Sequence, residues 1–351
     1  MKQNKIIIIT GVTGQDGSLM ADYLLRHTEH TIVAGVRRLS VKNHSNIKHL
    51  TENPRFKLID LDITDQHNVD KVICEYKPDY FINFAANSFV GNSWLQPVNH
   101  MNTNCLGVLY QLEAIQKHCP TCRYYNAGSS EEFGDVVFTP QTEEHPLRPR
   151  SPYAASKCAA RHLVKVYRES YDLYAVQGWL FNHEGDRRGE EFVTRKITKN
   201  VARILRHYEI GKPIVPLQLG NLDAKRDWSD AQDFVRGVWL MLNQDRKNPK
   251  DYVLSSDETH TIREFVEEAF NFVGFHRNAC EWKGEGEDEK YFHGTECFVE
   301  INSDFYRPAE VDSLLGDSTK AREELNWKPE TNFYQLVKKM VDTDVASVIT
   351  W

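Results

Sequence analysis

Ile6-Ile7-Ile8-Ile9-Thr10-Gly11-Val12-Thr13-Gly14-Gln15-Asp16-Gly17 decides the fold of this chain. Four consecutive isoleucines are β-branched and apolar, which suits a strand buried on both faces. Three glycines at intervals of three then allow a tight turn and a close backbone approach. A helical pattern follows through Ser18–Arg26. Strand, glycine turn and helix start place backbone N–H groups at a helix N-terminus, a natural seat for a pyrophosphate. The spacing is G-x-x-G-x-x-G, and the motif takes its meaning from standing after a strand and before a helix. We read Gly11, Thr13, Gly14, Gln15, Asp16 and Gly17 as a dinucleotide cradle; a merely structural turn is the alternative.

Outward from that stretch, strand patterns recur at Thr31–Val36, Phe56–Ile59, Tyr80–Phe84, Arg123–Ala127 and Ala175–Phe181. Helical patterns lie between them at Gln66–Tyr76, Cys105–Lys117 and Tyr153–Tyr171. This alternation predicts an α/β fold, a Rossmann-type doubly wound parallel sheet covered on both faces. After Phe181 the rhythm changes. Helices are expected at Phe192–His207, Asp230–Leu242, Thr261–Val273 and Ser318–Leu325, an extended run at Ile214–Leu219, and a charged loop at Gly284–Lys290. The expected organisation is a dinucleotide-binding domain over 1–181, completed by parts of 221–273. A smaller C-terminal α/β lobe for the substrate would come from 182–220 and 274–351.

Composition narrows the class. The 351 residues are 40% hydrophobic and 26% charged, an ordinary globular profile. A formal net charge of −7 gives no support to a nucleic-acid partner. No apolar run approaches the roughly 18 residues of a membrane span, and Ile6–Ile9 is too short for a signal-peptide core. A cytoplasmic protein is expected. Seven cysteines in a chain of this length make no disulfide framework. Cys119 and Cys122 form a C-x-x-C with no second pair and no nearby histidine pair, so no metal is expected.

The chemistry-bearing residues come next. Tyr153 and Lys157 are four apart, which puts both on one helix face. A lysine beside a tyrosine favours the phenolate and makes the phenol a base near neutral pH. Ser129 and Glu131 lie just ahead of them and, two apart at a strand end, are expected on one side. A carboxylate added to the Tyr–Lys pair suggests alcohol oxidation followed by a second proton transfer. The second strand pattern ends in Arg37 and Arg38 without a carboxylate, and paired guanidinium groups suit the 2′-phosphate of NADP. Solvated arginines, or arginines meeting a neighbouring subunit, are the alternative.

These residues sit within a wider resemblance that covers nearly the whole chain. The sequence resembles the extended short-chain dehydrogenase/reductases and, among them, the GDP-mannose 4,6-dehydratase family. The resemblance rests on Thr10–Gly17, Ser129–Glu131 with Tyr153 and Lys157, Leu180–Glu184, Arg187–Gly189, Phe192–Ile197, Leu219–Trp228 and Tyr306–Val311. It implies an NADP-dependent dehydration of GDP-D-mannose to GDP-4-keto-6-deoxy-D-mannose: oxidation at C4, loss of water across C5 and C6, and hydride return to C6. It implies catalytic roles for Ser129, Glu131, Tyr153 and Lys157. It adds cofactor contacts at Asp62, Ile63, Phe84, Ala85, Ala86, Ser88, His183 and Arg188, and sugar-nucleotide contacts at Asn182, Lys196, Arg226, Arg307 and Glu310. It further implies a homodimer or homotetramer with no membrane partner.

The sequence departs from that family in four places. Ser129 stands for the usual threonine, Glu132 for an apolar residue, Phe133 for a tyrosine, and Met101 for a tyrosine that contacts the cofactor. Glu132 is expected to face away from Glu131. An epimerase of the same family would share Gly11–Gly17, Tyr153 and Lys157 but needs no carboxylate to remove a C5 proton, so Glu131 favours a dehydratase; a reductase making a 6-deoxyhexose would also share the scaffold. A 4-keto product beside a hydride-carrying cofactor also implies a weak reductase side reaction with NADPH.

Overall fold

The computed structural model describes residues 4–306 and 313–349. Its centre is a parallel sheet of β1 (Ile6–Thr10), β2 (Thr31–Val36), β3 (Phe56–Asp60), β4 (Tyr80–Asn83), β5 (Arg123–Ala127), β6 (Tyr174–Leu180) and an edge strand, Val253–Leu254. From that edge the order runs Val253–Leu254, β6, β5, β4, β1, β2, β3, with every pairing parallel. Chain direction across the sheet reverses between β1 and β4. In such sheets a crevice opens there, beyond the C-terminal ends of the strands.

The isoleucine run shows why the sheet is central. Ile7 and Ile9 pack with Leu24, Val176 and Phe234 on one face, while Ile8 packs with Phe81, Leu112 and Val164 on the other. All three isoleucines are fully buried, so both faces demand apolar residues and no polar alternation survives. The flanking helices are α1 (Gln15–His27), α2 (Gln66–Tyr76), α3 (Pro97–Met101), α4 (Gly107–His118) and α5 (Pro152–Tyr171).

A second core follows β6. It is built from α6 (Val193–Glu209), from α8 (Ile262–Phe272), which comes after α7 (Ala231–Leu242), and from the C-terminal helix α10 (Phe333–Ile349), which comes after α9 (Thr319–Leu325). A four-stranded sheet of Cys280–Lys283, Lys290–His293, Glu296–Ile301 and Leu217–Leu219 completes it. Phe265, Phe270, Phe298 and Phe333 are buried there. Helix α7 instead covers the main sheet, and Trp327 packs beside Phe234 with its indole N–H donating to the Asp233 carbonyl at 2.8 Å.

Several elements differ from the sequence expectation. Helix α10 lies outside the expected helices, although Phe333, Leu336, Val337, Met340 and Val341 follow the i, i+3, i+4, i+7, i+8 spacing of a buried helix face. In place of a loop alone, the strands around Gly284–Lys290 form a hairpin that pairs antiparallel, with a short turn at Gly286–Asp288. Of Ile214–Leu219 only Leu217–Leu219 is strand, because only those residues find a partner in Val299–Ile301. Helix α4 begins at Gly107, since Asn102–Leu106 forms a π turn after α3. Among the described residues no helix is long and apolar enough to cross a membrane, and no cluster of three or more His, Cys, Asp or Glu could hold a metal.

Candidate active site

A cleft of about 930 Å³ opens beyond the strand ends, between the main sheet and the second core. Of the glycine turn, Asp16 lines it. Gly11 has φ +67°, and a Cβ there would lie 2.7 Å from the Ala85 amide nitrogen. A Cβ on Gly17 would lie 2.4 Å from the Gly11 carbonyl oxygen. Backbone cannot yield to such overlaps, so both positions require glycine. No side chain caps the N-terminus of α1, which starts from extended backbone at Gly14. Thr13 is tied down by Asn46, whose amide donates to the Thr13 carbonyl at 3.0 Å.

Asp16 and His183 lock the cradle to the residues after β6. His183 Nε2 is 3.0 Å from an Asp16 carboxylate oxygen, and Nδ1 is 2.7 Å from the Phe181 carbonyl. Both ring nitrogens therefore face acceptors, an arrangement that a doubly protonated imidazole satisfies. Burial opposes the Asp16 charge, but the His183 charge and hydrogen bond outweigh it and bring the carboxyl down to about 2. Burial likewise opposes the His183 charge, and Asp16 raises the imidazole above its ordinary value. Gln15 braces the pair, its amide donating to Asp16 and to the His183 carbonyl, each at 3.0 Å.

The remaining cofactor candidates divide. Phe84, Ala86 and Ser88 follow β4 and line the cleft, as do His183 and Arg188. Ala85 closes on the turn, its N–H donating to the Thr10 hydroxyl at 3.3 Å. Arg37 is exposed just past β2, while Asp62 accepts from the Thr64 N–H and hydroxyl and Ile63 is buried. Met101 is exposed at the end of α3.

The opposite wall carries the acid–base residues. Ser151 caps α5 by accepting from the Ala154 N–H at 3.0 Å, and Pro152 occupies the first helical position. The first two turns of α5 then present Tyr153 and Lys157 to the cleft. Lys157 donates to the Ala127 carbonyl at 2.8 Å, and its ammonium sits 5.8 Å from the Tyr153 ring centroid. Burial brings Lys157 down to about 8.

Two sequence expectations need correction here. Ser129 and Glu131 do not share an extended strand. Ser129 caps a short 3₁₀ turn, Ser130–Glu132, and its hydroxyl accepts from the Glu131 N–H at 3.2 Å. The strand ends at Ala127, so the period-two rule no longer governs these positions; the turn nevertheless delivers both residues to the cleft. The Tyr153 phenol is also not pulled down by the chain alone. Burial pushes it well up, Glu131 and Glu132 add to that, and a Ser129 hydrogen bond and Arg188 only partly offset it.

Glu132 turns away from the cleft and is fully buried. One of its oxygens accepts from the Ser129 N–H at 2.8 Å, and Arg161 pairs with both. Ser129 and Glu132 thus form a capping box, whose Ser-x-x-Glu signal is legible in the sequence. Phe133 is buried between His145, Trp179 and Phe181.

On the substrate side, Asn182, Lys196 and Arg226 all line the cleft. Asn182 starts a short strand paired with Trp228–Asp230. The Lys196 ammonium lies 3.4 Å from the Phe305 ring centroid, and burial lowers its pKa. Arg188 pairs with Glu184 at 3.0 Å and stacks over Phe192 at 3.6 Å. Arg307 and Glu310 lie outside the described residues.

A Rossmann sheet whose cleft joins a glycine cradle to serine, tyrosine, lysine and glutamate defines an extended short-chain dehydrogenase/reductase. A solved dTDP-glucose 4,6-dehydratase from Bacillus anthracis in complex with NAD shares the fold, with a TM-score of 0.79, 21% identity, and 99% of this chain and 98% of that one covered. A family model described as GDP-mannose 4,6 dehydratase matches residues 8–340. The chain is 43% identical to GDP-mannose 4,6 dehydratase of Drosophila melanogaster, over 98% of this chain and 87% of the relative. It is 42% identical to the Homo sapiens protein of that name, over 99% and 94%. The chain belongs to the GDP-mannose 4,6-dehydratase family, which consists of hydro-lyases.

Proposed function

We propose that this chain dehydrates GDP-D-mannose to GDP-4-keto-6-deoxy-D-mannose with a retained NADP. The observation that carries the reading is the convergence of Ser129, Glu131, Tyr153 and Lys157 on one cleft in a member of this family. The cradle fits a dinucleotide: Gly11 and Gly17 leave no room for a side chain, and the α1 N-terminus lacks a side-chain cap. Gly14, Gln15 and Asp16 would hold the pyrophosphate side, Phe84 to Ser88 the nicotinamide side, and Arg37 a 2′-phosphate. When bound, NADP would accept hydride from the sugar C4 and return it to C6.

The chain's own residues would do the rest. Tyr153 takes the C4 hydroxyl proton. Its raised phenol means that the protein alone does not prime this base; a cationic ligand beside it would lower it. Ser129 donates to the sugar O4 as the ketone forms. Glu131 takes the C5 proton, now acidified by the ketone, and assists departure of the C6 hydroxyl. Asn182, Lys196 and Arg226 orient the sugar nucleotide, with charge-assisted bonds to its diphosphate. Residues 1–181 with parts of 221–273 would serve the cofactor, and 182–220 with 274–351 the substrate.

The test is GDP-mannose deuterated at C4, incubated with the protein and NADP. The expected product has lost one water, carries the deuterium at C6 and leaves no net reduced cofactor. An epimer of unchanged mass, or accumulating NADPH, would reject the reading. Adding excess NADPH to the 4-keto product tests the reductase side reaction by formation of a reduced sugar.

A further inference from the structure

A line of buried side chains crosses four neighbouring strands at one level. Thr10, Asn83, Asn126 and Gln177 are register partners on β1, β4, β5 and β6. None is more than 2% exposed. The Thr10 hydroxyl donates to Asn83 at 2.5 Å, Asn83 to Asn126 at 2.7 Å, and Asn126 to Gln177 at 2.6 Å. Gln177 then donates to a Glu132 oxygen at 3.3 Å and to the Lys157 carbonyl at 3.3 Å. An ionised carboxylate can only accept, so Glu132 sets the direction of every amide along the line. At the far end, the Thr10 hydroxyl accepts from Ala85 beside the glycine cradle.

Glu132 itself is over-determined. The same oxygen that receives Gln177 accepts from the Ser129 N–H at 2.8 Å and from Arg161 at 3.2 Å. Arg161 is held in turn by the Gln177 and Gly178 carbonyls and lies 3.5 Å from the Trp179 ring centroid. Gly128 leaves no slack: a Cβ there would sit 2.7 Å from the Glu132 oxygen and from Arg161. An apolar pair would fill a core at no desolvation cost, so a buried ion pair is weak evidence for a stabilising role. Its contacts point elsewhere, to the backbone of Ser129 and the helix turn of Lys157.

We propose that Glu132, clamped by Arg161, is a positioning residue that orients the Ser129–Glu131 turn and Lys157 for the reaction proposed above. It touches no substrate; it acts through the Ser129 N–H and through Gln177. The inference rests on the dehydratase reading for its kinetics, but it has a second readout in the phenol. Glu131 and Glu132 from the turn raise Tyr153, while Arg188 from the loop after β6 lowers it. Glu132 and Asp16 of α1 raise Lys157, and Arg161 on its own helix lowers it. His100 of α3 meets the Tyr153 ring edge-on at 6.3 Å. Removing the Glu132 charge therefore lowers both groups, and a rate that depends on the phenolate rises at lower pH.

The test compares full-length wild type, Glu132→Gln, and the double variant Glu132→Leu with Arg161→Leu. Glu132→Gln should cut kcat by roughly 10- to 100-fold, the scale of a small misplacement at a reacting centre. KM for GDP-mannose should stay within about two-fold, as expected when only the transition state is affected, and the pH–rate profile should move to lower pH. Wild-type kcat and an unmoved profile would overturn the proposal. Should Glu132→Gln fail to fold, leaving Arg161 unpaired, the double variant avoids a buried lone charge. A folded double variant with low kcat supports positioning; one with wild-type kcat overturns it. The NMR shift of the Ser129 amide in wild type and Glu132→Gln, which reads the bond to Glu132 directly, needs no turnover. If wild type makes no product, the dehydratase reading fails, and an unmoved Ser129 amide separately rejects Glu132 as the group that orients the turn.

Discussion

Glu131 and Glu132 are chain neighbours with opposite surroundings. Glu131 borders the cleft, half-buried, while Glu132 is fully enclosed beside Arg161. At this scale the same side chain acquires two uses from its position in one short turn. Glu131→Gln keeps the shape and removes the base. It should still bind NADP but lose elimination by about 10²- to 10⁴-fold, the usual reach of a general acid–base residue. Product formation measured beside equilibrium cofactor binding checks this; a normal yield of 4-keto product would reject its assigned role. Asp16 shows the converse case. Expected as a cofactor contact, it lines the cleft and is also paired with His183, which braces the cradle against the segment after β6.

Helix α5 is the element on which the acid–base residues depend. Its start is encoded locally by Ser151 and Pro152, and its first two turns carry Tyr153 and Lys157. Ser151→Ala removes a cap bond that is buried, and should cost about 1 kcal/mol of stability (range roughly 0.5–2). A urea unfolding curve with a lower midpoint and unchanged slope would register that loss. An unchanged midpoint would mean that packing alone holds the start of α5. The turn Ser130–Glu132 has no such independence: three residues cannot fix a helix, and this one is held by the capping box and by Arg161. Both starts carry a local signal, Ser151-Pro152 for α5 and Ser-x-x-Glu for the turn, but the Arg161 partner that holds Glu132 lies 29 residues away and has no local signal.

In the molecule as a whole, the cleft exists because two cores meet along the ends of the main sheet. Binding there stabilises the folded state in proportion to the logarithm of ligand concentration over Kd, about 2.7 kcal/mol at a hundred-fold excess. NADP should therefore raise the melting temperature more than NAD at equal concentration, and Arg37→Ala should narrow that gap. Thermal melts with each cofactor decide it. Equal shifts for NAD and NADP in the wild type would remove the case for a 2′-phosphate site at Arg37.

The parallel sheet, the glycine turn and most of the helices follow from the chain's local pattern: a run of four isoleucines, three of them buried, glycines at fixed spacing, caps and periodic apolar faces. The sequence also identified the family, through motifs contiguous in the chain. Tertiary structure alone decided what surrounds those motifs. Glu132 meets Arg161 across 29 residues, Asp16 meets His183 across 167, and Thr10 reaches Gln177 through strands that are neighbours only in the folded sheet. Burial and charge depend on such distant partners, so the raised phenol of Tyr153 and the lowered ammonium of Lys157 had no counterpart in local spacing.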